Sequence, residues 1–290
     1  MNSAPTTLVD PVIMGSTIAK GATAQAQKAT PSKSAASSAS SAGNTSKDAQ
    51  SRQLHPVQTI QTPAAQAARH ALPALLAGLF LVRFGALVDD PVSTMSSSLP
   101  LTAALQVAYA VVCLPVAGSS QAGGSGTGVG GAARKGPRPG EKKRGGAGTG
   151  GDARGPNRVV TALLALVLSL LVTPALHAVV LLFGAPFLTH ASATLLFASH
   201  LALLALFPLF YVHGVDGAAW VAVGGFSAPI DETFGGLVGA LAGAWLGAVP
   251  IPLDWDREWQ KWPVTILCGL YAGYLLGRVI GGTVAWGRKF

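Results

Sequence analysis

The densest group of side chains able to do chemistry lies in the run Pro250-Ile-Pro-Leu-Asp-Trp-Asp-Arg-Glu-Trp-Gln-Lys-Trp-Pro263. Here Asp254, Asp256 and Glu258 alternate with Trp255, Trp259 and Trp262. Three carboxylates at this spacing could hold a divalent cation or an amine headgroup. The same residues suit a docking surface, because Trp and Arg are favoured at interface hot spots. They also suit an interfacial anchor, with tryptophan at the headgroup level and the charges in water. Carboxylates without a nearby histidine or a phosphate-binding nest are weak ground for metal chemistry. Pro250, Pro252 and Pro263 stiffen both ends of the run, which suits anchoring or docking.

The rest of the chain offers little to a reaction. His55, His70, His177, His190, His200 and His213 form no H-E-x-x-H motif, and only His213 stands three residues from an acid, Asp216. His177 and His200 fall inside apolar stretches, where a helix–helix hydrogen bond or a polar cavity would account for them. There is no G-x-S-x-G elbow and no acidic cluster of the kind that phosphoryl transfer uses. Cys113 and Cys268 each sit in an apolar run and read as small buried residues. The glycine-rich segment 118–158 lacks the strand before it and helix after it that a phosphate loop needs. No catalytic, cofactor-binding or metal residue is therefore assigned.

The loop has to be positioned by the stretches on either side of it, and both carry glycine at every fourth position. Gly235, Gly239, Gly243 and Gly247 precede it; Gly269, Gly273, Gly277 and Gly281 follow. Residues four apart share a helix face. A face of bare backbone lets another helix approach closely, which is how helices associate in lipid. The two rows could pack on each other as a hairpin, or one could be left for a partner. The spacing alone does not separate these. Asp231 and Glu232 stand at the start of the first of these stretches, where the helix dipole favours acids.

Composition sets the environment. Half of the 290 residues are hydrophobic and only 11% are charged, against about 25% charged in a soluble domain. Six stretches reach the roughly 20 apolar residues that a bilayer span needs: 71–88, 99–117, 159–183, 191–212, 233–250 and 263–283. The expected fold is all-α, a polytopic membrane bundle of about six transmembrane helices. Its segments are a disordered tail (1–63), a first helix pair (71–117), a disordered Gly-rich basic linker (118–158), a four-helix region (159–283) and a short tail (284–290). The tail has no apolar core beside a cleavage site and too little apolar content to fold, so targeting rests on the first span. Arg83 lies near the end of that span, where its stem can snorkel to the interface or reach Asp89 or Asp90.

The net charge of +8 is concentrated in the polar segments. It reads as a topology signal and not as a nucleic-acid footprint. With both termini in the cytosol, sixteen of the twenty Lys and Arg face that side and only Arg257 and Lys261 the other. The positive-inside rule favours that orientation and puts the tryptophan-rich loop on the lumenal or external side. The sequon Asn44-Thr45-Ser46 would then remain unmodified.

Three runs together resemble a known family: Phe207-Pro-Leu-Phe-Tyr-Val-His-Gly214, the glycine row after Asp231-Glu232, and Ile251 to Pro263. They resemble the Pig-F family of glycosylphosphatidylinositol (GPI) biosynthesis proteins in its fungal form, from about residue 71 to 283. The resemblance implies a multi-pass protein of the endoplasmic reticulum, needed to add ethanolamine phosphate to the mannoses of the GPI precursor. It implies a non-catalytic, stabilising subunit whose partner is the large catalytic subunit of the GPI ethanolamine phosphate transferase. The glycine rows and the loop residues Asp254, Trp255, Asp256, Trp259 and Trp262 are the candidate packing and docking positions, in contact with membrane lipid and with no nucleic acid. The competing expectation is a lipid transporter or headgroup-presenting protein for phosphatidylethanolamine or the GPI precursor. His177, His200 and Asp256 would then line a polar groove.

Overall fold

A computed structural model describes residues 54–119, 156–253 and 255–289. Most of the expected tail, most of the basic linker, the sequon and Asp254 lie outside the described residues. Among the described residues there is no strand. The helices are α1 (Pro63–Val82), α2 (Phe84–Asp89), α3 (Pro91–Cys113), α4 (Arg158–Leu182), α5 (Ala191–Leu201), α6 (Phe207–His213), α7 (Gly217–Gly224), α8 (Glu232–Ala248) and α9 (Val264–Gly282). Six helical stretches are long and apolar enough to cross a membrane, with α5 and α6 forming one of them through Ala191–His213. The expected all-α, six-span fold is the one observed.

Local chemistry sets the helix starts. α1 begins at Pro63, eight residues before the expected span, because Thr62 caps it: the Ala65 N–H donates to Thr62 Oγ1 at 3.2 Å. Proline at the first helical position has no N–H to orphan. Asp90 and Pro91 repeat the device at α3, where the Ser93 N–H donates to Asp90 Oδ1 at 3.2 Å. Asn157 caps α4 through the Val159 N–H at 3.1 Å. Between α5 and α6 the helix widens into a π-turn over Ala202–Leu206, and the Phe207 N–H reaches back to the Ala202 carbonyl. Pro208 follows at once and cannot donate an N–H to the turn before it, a usual reason for a local break in the α-pattern.

The α5–α6 span is the central one: 78% of its apolar window is buried, against 17% for α1. α4 flanks it and shows lipid a row of exposed leucines and valines, among them Leu163, Leu164, Val167 and Leu171. Hydrogen bonds collect the helix ends into two groups. At one end Ile60 N–H donates to the Cys113 carbonyl (2.8 Å), Val57 N–H to Asp231 Oδ2 (2.9 Å), and Gly287 N–H to the Ile230 carbonyl (2.8 Å). At the other, Lys261 Nζ donates to the Asp89 carbonyl (3.4 Å) and Trp262 Nε1 to Thr194 Oγ1 (3.1 Å). The start of α1 and the end of α9 therefore share one end, and the 250–263 loop lies at the other. Residues 54–62, placed by sequence in the disordered tail, run as an extended strap bonded to the first end.

Candidate functional site

The two glycine rows face each other. A methyl built on Gly239 would meet the Gly277 Cα at 2.7 Å, and one on Gly243 the Gly273 Cα at 2.7 Å. The reverse holds from α9: a methyl on Gly277 would meet the Gly239 Cα and one on Gly273 the Gly243 Cα, both at 2.7 Å. A methyl built on Gly269 would meet the Gly247 Cα at 2.9 Å, and methyls on Gly235 and Gly281 would meet each other's Cα at 2.9 and 3.0 Å. A methyl on Gly247 would meet the Ile266 Cα at 2.9 Å. Carbon atoms pack at about 3.5–4.0 Å, so no side chain fits anywhere along this seam. α8 and α9 touch backbone to backbone for their whole length, and both rows are occupied within the chain.

The joining loop divides into anchors and presented groups. Gln260 is buried; its Oε1 accepts the Trp255 N–H at 2.9 Å and its Nε2 donates to the Pro250 carbonyl, closing the loop on itself. Trp262 is half-buried, its ring 6.2 Å from that of Phe197 and its Nε1 on Thr194 of α5. Trp255 and Trp259 stay 53% and 37% exposed with ring centroids 5.9 Å apart. Asp256, Arg257 and Glu258 are exposed around them. Asp256 adopts φ 51°, a conformation that Asp tolerates better than most residues. Among the described residues no group of three His, Cys, Asp or Glu side chains comes together as a metal site.

A second constellation went unnoticed in the sequence. Asp231 is the N-cap of α8, its Oδ1 accepting the N–H groups of Thr233 (2.8 Å) and Phe234 (2.9 Å). Glu232, one residue on, is buried and turns inward. Arg69 Nε of α1 donates to Glu232 Oε1 at 2.5 Å, Tyr109 Oη of α3 donates to Oε2 at 2.8 Å, and Arg278 Nη2 of α9 lies 3.6 Å from Oε2. The Arg278 guanidinium stacks 4.2 Å over the Tyr109 ring, an attractive geometry for a cation. Gly282 makes room for the cluster: a methyl there would meet Glu232 Cγ at 2.7 Å and Arg69 Nη2 at 2.9 Å.

From this cluster a ladder of hydrogen bonds runs between α3 and α9. Gln106 Nε2 donates to Tyr274 Oη at 2.9 Å, and Thr102 Oγ1 and Tyr271 Oη share a bond of 3.0 Å. His200, fully buried on α5, bonds Tyr271 Oη through Nδ1 (2.9 Å) and the Met95 carbonyl through Nε2 (3.2 Å). The legible signal was periodic: Thr102, Gln106 and Tyr109 on one span, and Tyr271, Tyr274 and Arg278 on another, advance by three and four and so each fall on one helix face. Polar faces inside membrane spans find partners in other helices.

The remaining candidates do not converge. His200 and Tyr271 border a cleft near α1, but neither His177 nor Asp256 lines it. Cys113 is buried and bonds the Ala65 carbonyl; Cys268 is half-buried, and both are free thiols. Arg83 reaches Ser97 Oγ of α3 at 2.6 Å, not Asp89 or Asp90.

The comparisons agree on one family. Residues 71–282 match the family described as GPI biosynthesis protein family Pig-F. The chain is 60% identical to the glycosylphosphatidylinositol anchor biosynthesis protein 11 of Neurospora crassa, over 98% of this chain and 99% of that protein. It is 44% identical to the protein of the same name from Aspergillus fumigatus, over 72% and 76% of the two chains. A human relative is named GPI ethanolamine phosphate transferase, stabilizing subunit; it is 36% identical over 39% of this chain and 54% of its own length. No solved structure matches the chain significantly.

Proposed function

The chain belongs to the GPI biosynthesis protein family Pig-F, and from that premise we propose that it is a non-catalytic, stabilising subunit of the GPI ethanolamine phosphate transferase. It sits in the endoplasmic reticulum membrane with both termini in the cytosol. It acts in the addition of ethanolamine phosphate to mannose of the GPI precursor, through a large catalytic subunit. The observation that carries this reading is how the loop is built: Gln260 and Trp262 brace it from within, while Trp255 and Trp259 are held out beside exposed acidic and basic side chains. Tryptophan on a braced loop loses little freedom when it docks, the property of an interface anchor. The glycine rows support the partner through that bracing, because they fix the hairpin from which the loop projects.

Trp255→Ala with Trp259→Ala is expected to lower co-purification of the catalytic subunit from mild detergent by about tenfold or more. The subunit itself should accumulate normally, since neither ring is part of the core. Undiminished complex with both tryptophans removed would overturn the docking role of the loop.

A further inference from the structure

Arg83 stands at the end of the first span, where α1 breaks into α2. Its Nη2 donates to Ser97 Oγ at 2.6 Å, and Ser97 Oγ in turn donates to the Ser93 carbonyl at 2.9 Å. The hydroxyl thus fixes the guanidinium from one side. A guanidinium has five N–H donors, and among the described residues no carboxylate lies within ion-pair distance of this one and no other acceptor meets its side chain. Of the nearby acids, Asp90 caps α3 with its side chain, and the Asp89 carboxylate makes no ion pair with Arg83. Arg83 borders a small, mostly apolar cleft of about 20 Å³ between Leu79, Phe80, Leu87 and Tyr271. Beside it Leu81 and Val82 are 70% and 87% exposed to the bilayer.

We propose that Arg83, positioned by Ser97, binds the phosphate of a membrane glycerophospholipid whose acyl region lies along the exposed Leu81 and Val82 beside it. The end of an apolar span lies at the headgroup level, where the abundant anion is a phosphodiester. The free N–H groups of a guanidinium match two phosphate oxygens in a fork that a lysine cannot reproduce. The Arg83–Ser97 pair joins the end of α1 to α3 and uses neither Trp255 nor Trp259, so it goes beyond the role proposed above.

The test uses the full-length protein in phosphatidylcholine nanodiscs doped with photoactivatable phosphatidylethanolamine, beside nanodiscs doped with photoactivatable diacylglycerol, which lacks phosphate. Labelled peptides within 75–98 are expected to be about tenfold richer with the phospholipid. Arg83→Gln should remove that excess, Arg83→Lys should keep part of it, and Lys289→Gln should leave it intact. Equal labelling by the two lipids, or labelling of Arg83→Gln equal to wild type, overturns the proposal. If Arg83→Gln fails to accumulate, the phospholipid-to-diacylglycerol ratio on the wild type decides alone. Adding the catalytic subunit provides the last arm: if it displaces the lipid and crosslinks at Arg83, the occupant is a protein helix and the proposal fails. Co-purification of that subunit, read on the same samples, reports on the docking loop separately.

Discussion

A carboxylate buried between two guanidiniums keeps all three groups tolerable only while each is present. Removing Glu232 leaves Arg278, 3% exposed, with no anion in reach and with its Nη1 already lacking an acceptor among the described residues. Glu232→Ala is therefore expected to destabilise the bundle by about 3–5 kcal/mol, the cost of breaking a buried pair from one side. Tyr109→Phe, which removes one hydrogen bond to the charge but keeps the ring under Arg278, is expected to cost about 1.5–3 kcal/mol. Thermal unfolding of the purified protein in mild detergent reads both, and equal midpoints for wild type and Glu232→Ala would refute the assignment. At this scale the sequence was least legible. Asp231 and Glu232 look alike as acids at a helix start, and only Asp231 acts as the cap. The partner that draws Glu232 inward, Arg69, is 163 residues away, so no local pattern could reveal it.

The α8–α9 pair is an element defined by what it lacks. Methyl groups at the seam would drive backbone into backbone, which no rotamer change can relieve. Gly243→Ala is expected to lower stability by at least about 1–3 kcal/mol, the usual range for overpacking, and Gly243→Leu to abolish accumulation of the protein. Gly78→Ala is the counterpart: nothing lies within 4 Å of its added methyl, so the substitution should be neutral or stabilise α1 by about 0.5–1 kcal/mol. Steady-state levels and unfolding midpoints distinguish these outcomes. The four-residue spacing of the glycines is plain in the sequence, because a helix face repeats at that interval. Whether the face serves the chain itself or a partner is not encoded in spacing: either use needs the same bare ridge. The loop shows the same division. Its composition marks it, but the roles of Gln260 as brace and Trp262 as wedge depend on Pro250 and Thr194, which fold back to meet them.

Across the whole molecule the number of spans was legible from hydropathy, since each needs about 20 apolar residues whatever it packs against. The choice of α5–α6 as centre was not, because its residues are no more apolar than those of the lipid-facing α4; mean hydropathies are 2.1 and 2.5. Burial there follows from neighbours, and the neighbours are set by the polar ladder and the glycine seam. With an even number of spans and the helix ends gathered as described, a glycosylation acceptor inserted between Trp255 and Trp259 is expected to be modified in microsomes. Asn44 is expected to remain bare. A glycosidase-sensitive mobility shift reads both, and the reverse pattern would invert the proposed orientation. The ion cluster around Glu232 bears on biosynthesis. Arg69 leaves the ribosome 163 residues ahead of its counter-ion, an interval on the order of 10–30 s at ordinary elongation rates. For that time the first helix pair waits in the bilayer as an open clasp. A nascent chain halted before residue 232 is therefore expected to hold Arg69 without its counter-ion, and to be degraded faster than the same truncation carrying Arg69→Gln.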